Sequence, residues 1–215
     1  VRVDAGRVLE RREGMARDSS ISGVGSGGSG NIREKNITRH TVAFLMTDGD
    51  NLQWTLGPWS VDSRWYGSPD RGRVPCGWTL SPAIVDLSPA SLSYIRGSQT
   101  VNDELIAGPS GYGYVYPTTW SHEQLEKFAK VTRTAMKKAG MPACNILGQN
   151  NDPPVCSQVD PLLTENGGFF YSWGDGYAGL KGNISFCGGK PVVSGRFSLW
   201  GDAKTGDMVG VDGLL

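Results

Sequence analysis

From Thr41 to Thr47 the chain reads Thr-Val-Ala-Phe-Leu-Met-Thr, an unbroken apolar and β-rich run. That is the pattern of a strand covered on both faces in a parallel sheet. Similar short runs predict further strands at Val74 to Leu80, Leu105 to Ala107, Cys144 to Leu147, Gly168 to Ser172 and Pro191 to Phe197. One stretch instead keeps a three-to-four spacing: Leu125, Phe128, Ala129, Thr132, Ala135, Met136 and Ala139 line one stripe of a helix. Ser121 and Gln124 stand where a capping box starts such a helix, and Gly140 and Pro142 stop it. A weaker helix is expected around Ala90 to Arg96.

Strand, loop, helix and strand in this order predict right-handed βαβ units and an α/β architecture with mostly parallel strands. A whole (β/α)8 barrel takes about 250 residues. The chain has 215, and the first 36 do not read as folded. They hold a charged stretch, Arg7 to Arg17, and a Gly/Ser run, Ser22 to Gly30, which has too little apolar surface to bury. We therefore expect a flexible leader or linker over 1–36 and an irregular, incomplete barrel-like α/β domain over 37–215, truncated before a barrel's last elements.

In α/β folds of this kind reactive groups gather beyond the C-terminal ends of the strands. Asp48 and Asp50 directly follow the first predicted strand, and residues two apart share a face of an extended segment. Two close carboxylates repel when both are ionised, so one pKa rises. A raised acid beside an ionised partner is what cleavage of a glycosidic bond needs. The competing role is structural: residues 48–51 build a polar turn and cap a helix running from Leu52 to Leu56. Catalytic partners commonly come from separate strands, which nominates Asp152, after the strand holding Cys144 to Leu147, and Asp175, after Phe169 to Trp173. Glu104 precedes its strand and should face the opposite rim.

Aromatic residues crowd the same zones. Gly108 to Pro117 alternates tyrosine and glycine, so in an extended chain Tyr112, Tyr114 and Tyr116 would form one shelf of rings beside bare backbone. Such a shelf suits a sugar, whose C–H faces stack on rings while its hydroxyls seek hydrogen bonds. Trp54, Trp59, Trp65 and Tyr66 fill a long loop after Asp50, with Trp78 beyond it; at least two of the loop rings are expected to form a small core of their own. Asn51, Trp54, Trp78, Asn151 and Arg196 complete the expected substrate-binding set with the three tyrosines.

Gly111 to Pro117 also matches the GxGYxYP pattern at every fixed position. Around it, Thr47 to Asn51, Gly77 to Pro82, Gly189 to Val193 and Arg196 to Trp200 supply further blocks in order. Over roughly Thr38 to Trp200 the chain resembles the C-terminal domain of the GxGYxYP putative glycoside hydrolase family. The resemblance implies hydrolysis of glycosyl bonds, a carbohydrate substrate, and a separate upstream domain as partner.

Composition narrows the alternatives. Lys+Arg of 21 against Asp+Glu of 21 leaves a net charge of +0, with no basic footprint for nucleic acid. No run approaches the roughly 18 apolar residues of a membrane span. Four cysteines without CxxC spacing and two histidines, His40 and His122, without a ligand pair argue against a zinc site. No cofactor is called for; the one cation that fits is Ca²⁺ on Asp48, Asp50, Asn51 and Asp152, although the spacing lacks the order of an EF-hand. Two acceptor sequons, at Asn36 and Asn183, point to an extracellular or secreted protein if the source is a eukaryote. Ser110 is not in a GxSxG elbow, and no histidine follows His122, which argues against a serine hydrolase. A carbohydrate-binding domain without turnover and a cation-dependent carbohydrate esterase or deacetylase are the two alternatives.

Overall fold

The computed structural model describes residues 42–47, 49, 51–149, 156–173 and 182–196. By packing, the chain divides into Val1–Ala43 and Phe44–Leu215, and the sheet and helices belong to the second unit. Seven strands among the described residues form one sheet: β1 Phe44–Met46, β2 Cys76–Leu80, β3 Asp103–Ala107, β4 Cys144–Gln149, β5 Gly168–Trp173, β6 Ile184–Cys187 and β7 Lys190–Ser194. Their order is β1-β2-β3-β4-β5-β7-β6. Every neighbouring pair is parallel except β6 with β7. The curled, mostly parallel sheet is the incomplete barrel-like α/β architecture expected from the sequence.

The helices are α1 Leu52–Thr55, α2 Ile84–Leu87, α3 Pro89–Gly97, α4 His122–Ala139 and α5 Cys156–Val159. The capping box of α4 is formed in full, with the Ser121 hydroxyl accepting from Gln124 N–H and the Gln124 side chain accepting from Ser121 N–H. At its other end Gly140 takes φ +63°, a left-handed turn that glycine adopts without the Cβ penalty. Leu125, Ala129, Thr132, Ala135, Met136 and Ala139 are buried, so the stripe read from the sequence is the packing face.

Alternation along the strands sorts the sheet's two faces. Trp78 and Leu80 of β2, Leu105 and Ala107 of β3, Cys144 and Ile146 of β4, Phe170 of β5 and Val192 of β7 join Ile84, Ile95, Leu125 and Met136 in one core. Thr79, Ile106, Asn145 and Phe169 therefore point to the other face.

Two differences from the sequence pattern have simple causes. The first strand is an edge strand of three residues, and Phe44 and Met46 are exposed instead of covered on both faces; an apolar run alone does not distinguish an edge from a sheet centre. The hairpin strand β6 was not anticipated. Its register is set by Gly188 and Gly189, both at positive φ between Cys187 and Lys190, as a two-residue primed turn requires. A disulfide joins Cys156 of α5 to Cys187 of β6, while Cys76 and Cys144 are free.

The long loop between α1 and β2 is tied down at the N-terminal end of β3. The buried Asp103 carboxylate accepts from Arg71 Nη1, from Trp78 Nε1 at 2.9 Å and from Thr100 N–H at 2.8 Å. Arg71 also donates to Ser98 O at 2.8 Å and lies over the Tyr66 ring, 4.1 Å from its centroid. Removing one member of such a pair leaves the other charge buried and uncompensated. Asp103→Ala should lower unfolding free energy by about 3–5 kcal/mol, read by urea titration; a loss under about 1 kcal/mol would show that the anchor is dispensable.

Candidate functional site

The parallel register brings the C-terminal ends of β1, β2, β3, β4, β5 and β7 to one rim. Three segments that carry candidate residues leave the sheet there: Thr47 to Asn51 after β1, Gly108 to Pro117 after β3, and Gly195-Arg196 after β7. The proposed carboxylates Asp48, Asp50, Asp152 and Asp175, with Asn151, lie outside the described residues, as do three of the four ligands of the expected Ca²⁺ site. Among the described residues no group of three or more His, Cys, Asp or Glu side chains is arranged to hold a metal.

The turn after β1 is defined through its neighbours. A Cβ on Gly49 would stand 2.2 Å from the Thr79 carbonyl oxygen and 2.5 Å from the Trp59 ring, so only glycine fits between β2 and the loop beneath. The Thr55 hydroxyl donates to the Gly49 carbonyl. Asn51 caps α1, its side chain accepting from Gln53 N–H at 3.1 Å, which is the structural role anticipated for this turn. Trp54 is exposed on α1, its ring 5.9 Å from that of Trp65. Trp59 and Tyr66 are fully buried and stacked, with centroids 4.9 Å apart, and form the small loop core.

Trp78 departs from its expected place at the substrate. It packs edge-on against Trp59 and Tyr66 on the helix side of the sheet, and its indole N–H is taken up by Asp103. With 6% of its surface exposed it has no ring face open to a ligand. An indole on the covered face of a central strand packs; the sequence alone showed no face.

The tyrosine segment is not the straight shelf that alternation implies. Residues 109–114 form bends, and the Tyr112 ring parts from the other two. Tyr112 turns toward the helices: its N–H donates to Thr132 Oγ1 at 3.1 Å and its hydroxyl donates to Asp86 Oδ2 at 3.0 Å. That hydrogen bond, the chief cause, pushes the Tyr112 phenol above its ordinary range. Tyr114 and Tyr116 stay together, with centroids 6.4 Å apart at 74°, and Tyr114 is 52% exposed. The shelf therefore has two rings. Arg196 is exposed just past β7, with its stem against Gly182.

Glu104 lies near the N-terminal end of β3, on the rim opposite the site. Burial pushes its carboxyl upward in pKa, with Arg96 opposing the shift.

Several site-forming residues were missed. Ser110 is fully buried; its hydroxyl donates to Val115 O at 3.0 Å and accepts from Leu147 N–H at 2.9 Å, closing the bend and fastening it to β4. Thr79 and Asn145 are fully buried, and Thr79 Oγ1 and both Asn145 side-chain polar atoms have no hydrogen-bond partner. The available signal was a lone polar residue inside each of two apolar strands, Gly77 to Leu80 and Cys144 to Leu147.

The family profile described as "GxGYxYP putative glycoside hydrolase C-terminal domain" matches residues 38–212. A crystal structure of a putative hydrolase from Bacteroides thetaiotaomicron VPI-5482 is similar, with 28% identity and a TM-score of 0.62 over 78% of this chain. The chain spans 32% of that protein's length. No curated relative matches.

Ser110→Ala would strip partners from a buried N–H and a carbonyl. It should cost about 1–3 kcal/mol of stability and raise amide exchange at Leu147. Unchanged exchange at Leu147 would mean the bend does not depend on the hydroxyl.

Proposed function

The chain belongs to the GxGYxYP putative glycoside hydrolase family, and from that premise we propose that it cleaves a glycosidic bond with carboxylates carried on loops at the C-terminal rim of the sheet. The observation that carries this reading is the shared rim: the Thr47 to Asn51 turn and the tyrosine segment leave the C-terminal ends of β1 and β3, the two strands that flank β2 in one parallel sheet. An acid-bearing turn supplies the carboxylates that sugar hydrolysis requires, and the paired rings of Tyr114 and Tyr116 on the same rim supply faces for a sugar to stack on.

In this mechanism one carboxyl of the Asp48 and Asp50 pair stays protonated because its neighbour is ionised, and it gives its proton to the leaving glycosidic oxygen. A carboxylate from another strand end, Asp152 or Asp175, acts as nucleophile or activates water. Tyr114 and Tyr116 stack on the sugar ring, with Asn51, Trp54, Asn151 and Arg196 bonding hydroxyls or bordering the cleft. The Cys156–Cys187 disulfide supports an oxidising, extracellular setting.

Asp48, Asp50, Asp152 and Asp175 are replaced singly by Asn and assayed on 4-nitrophenyl α- and β-glycosides and on oligosaccharides. The acid and its partner should each lose about 10²–10⁴-fold in kcat while ligand Kd holds. Tyr114→Ala should instead weaken binding, with a smaller change in kcat. Binding without hydrolysis by the unmutated chain would make it a carbohydrate-binding domain, and acetate release from acetylated oligosaccharides that EDTA abolishes, with glycosides left intact, would favour the cation-dependent esterase.

A further inference from the structure

A line of four residues crosses the sheet from β1 to β4: Gly49 in the turn after β1, Thr79 near the end of β2, Gly108 just past β3 and Asn145, the second residue of β4. A Cβ on Gly49 would strike the Thr79 carbonyl, and a Cβ on Gly108 would lie 2.9 Å from Thr79 Cβ and 3.4 Å from Asn145 Cβ. Gly108 thus lets two polar side chains come together across β3, while Gly49 brings the turn after β1 against the Thr79 backbone. Both side chains project from the sheet face opposite the helical core, since their strand neighbours Trp78, Leu80, Cys144 and Ile146 belong to that core.

These side chains are fully buried and unpartnered. Leaving a buried amide and hydroxyl without hydrogen bonds costs about 1–3 kcal/mol for each group in mutational comparisons. An alanine or valine would fill either place without that penalty. Placed beside the turn after β1 and the start of the tyrosine segment, the pair offers two amide donors, an amide acceptor, and a hydroxyl that serves as either. A sugar hydroxyl is both donor and acceptor, so neighbouring hydroxyls on one ring complement this set.

We propose that Thr79 and Asn145 form the polar floor of the sugar site and hydrogen-bond hydroxyls of the bound glycan. This rests on the glycoside hydrolase reading above and deepens it. Neither group is exposed to solvent, so a hydroxyl that reaches them must part the atoms covering them, and its hydrogen bonds then form away from competing water. A site built to bond a substrate hydroxyl rejects the analogue that lacks it, because its own buried groups are left unpaired. Thr79 and Asn145 are in this way specificity-determining residues.

The test uses the full chain with Thr79→Val, Asn145→Leu and the double substitution. Thermal melting is followed, together with kinetics on the 4-nitrophenyl glycoside that the unmutated protein cleaves best and on its monodeoxy analogues. The expected result is a melting temperature equal to or above that of the unmutated protein, with kcat/KM lowered at least about tenfold, the effect of losing roughly one hydrogen bond. One deoxy analogue should be cleaved equally by the unmutated and variant proteins, and Thr79→Ser should recover the loss. If Asn145→Leu does not fold, the near-isosteric Thr79→Val carries the test alone. A lowered melting temperature with activity falling only in proportion gives the pair a structural role and overturns the proposal. So do stable variants with unchanged kinetics. A protein that neither binds nor cleaves any glycoside overturns the underlying reading as well, and is distinguished because the unmutated chain itself fails.

Discussion

The buried Asp103 carboxylate is the fixed point from which the rest of the domain is positioned. It holds Arg71, whose guanidinium lies on Tyr66; Tyr66 stacks on Trp59; and the Trp59 ring lies against Gly49. A chain of direct contacts thus runs from the N-terminal end of β3 to the turn at the C-terminal end of β1. Each contact is of a different kind: a charge-assisted hydrogen bond, a cation over a ring, a ring stack, and a glycine with no room for a side chain. A buried ion pair is weak evidence for net stability, because desolvation opposes the Coulomb gain. Its value here is directional. It fixes where a loop of aromatic residues lies, and that loop supports the turn from beneath.

Strand β3 separates the two demands made on the sheet. Its first residue, Asp103, anchors the fold, and the residues after its last, Gly108 to Pro117, carry the motif. In parallel α/β domains the N-terminal rim is free to specialise in stability because ligands enter at the other. Ser110 links the motif to the sheet by bonding both Val115 and Leu147. The loop is therefore less free than its glycines imply. Gly111, at φ +124°, brings the backbone against Thr132, and the adjacent Tyr112 N–H bonds that residue's hydroxyl. Tyr112, at a variable position of the motif, is committed to the helices, and the motif's two fixed tyrosines, Tyr114 and Tyr116, remain paired.

Much of the scaffold was legible because local and tertiary signals agree in it. Helix α4 shows this most fully: capping box, apolar stripe and terminal glycine all specify the same eighteen residues, and tertiary packing changes none of them. The central strands were legible as apolar runs for a similar reason. Where the sequence misled, a property of the whole sheet decided. Trp78 reads as a substrate ring until the face it occupies is known, and that face follows from pairing of Trp78 with Leu105. Strand β6 gave no strand signal because four residues with Ile184 and Phe186 outward show no buried pattern. The tyrosine alternation implied extended backbone, yet glycines permit bends as readily as strands.

The same limit explains why Thr79 and Asn145 escaped notice while the acids did not. A carboxylate after a strand is conspicuous in one dimension, whereas an Asn within Cys144-Asn145-Ile146-Leu147 reads as a minor interruption of a buried run. Its meaning depends on Gly108, thirty-seven residues away in the chain, having no side chain. Had Gly108 been alanine, the two polar groups could not approach across β3. Had Thr79 and Asn145 been apolar, the glycine would leave a void that packing disfavours. Each residue is costly without the others, so the arrangement makes physical sense only as a set whose hydrogen bonds are completed by something outside the strand pairing.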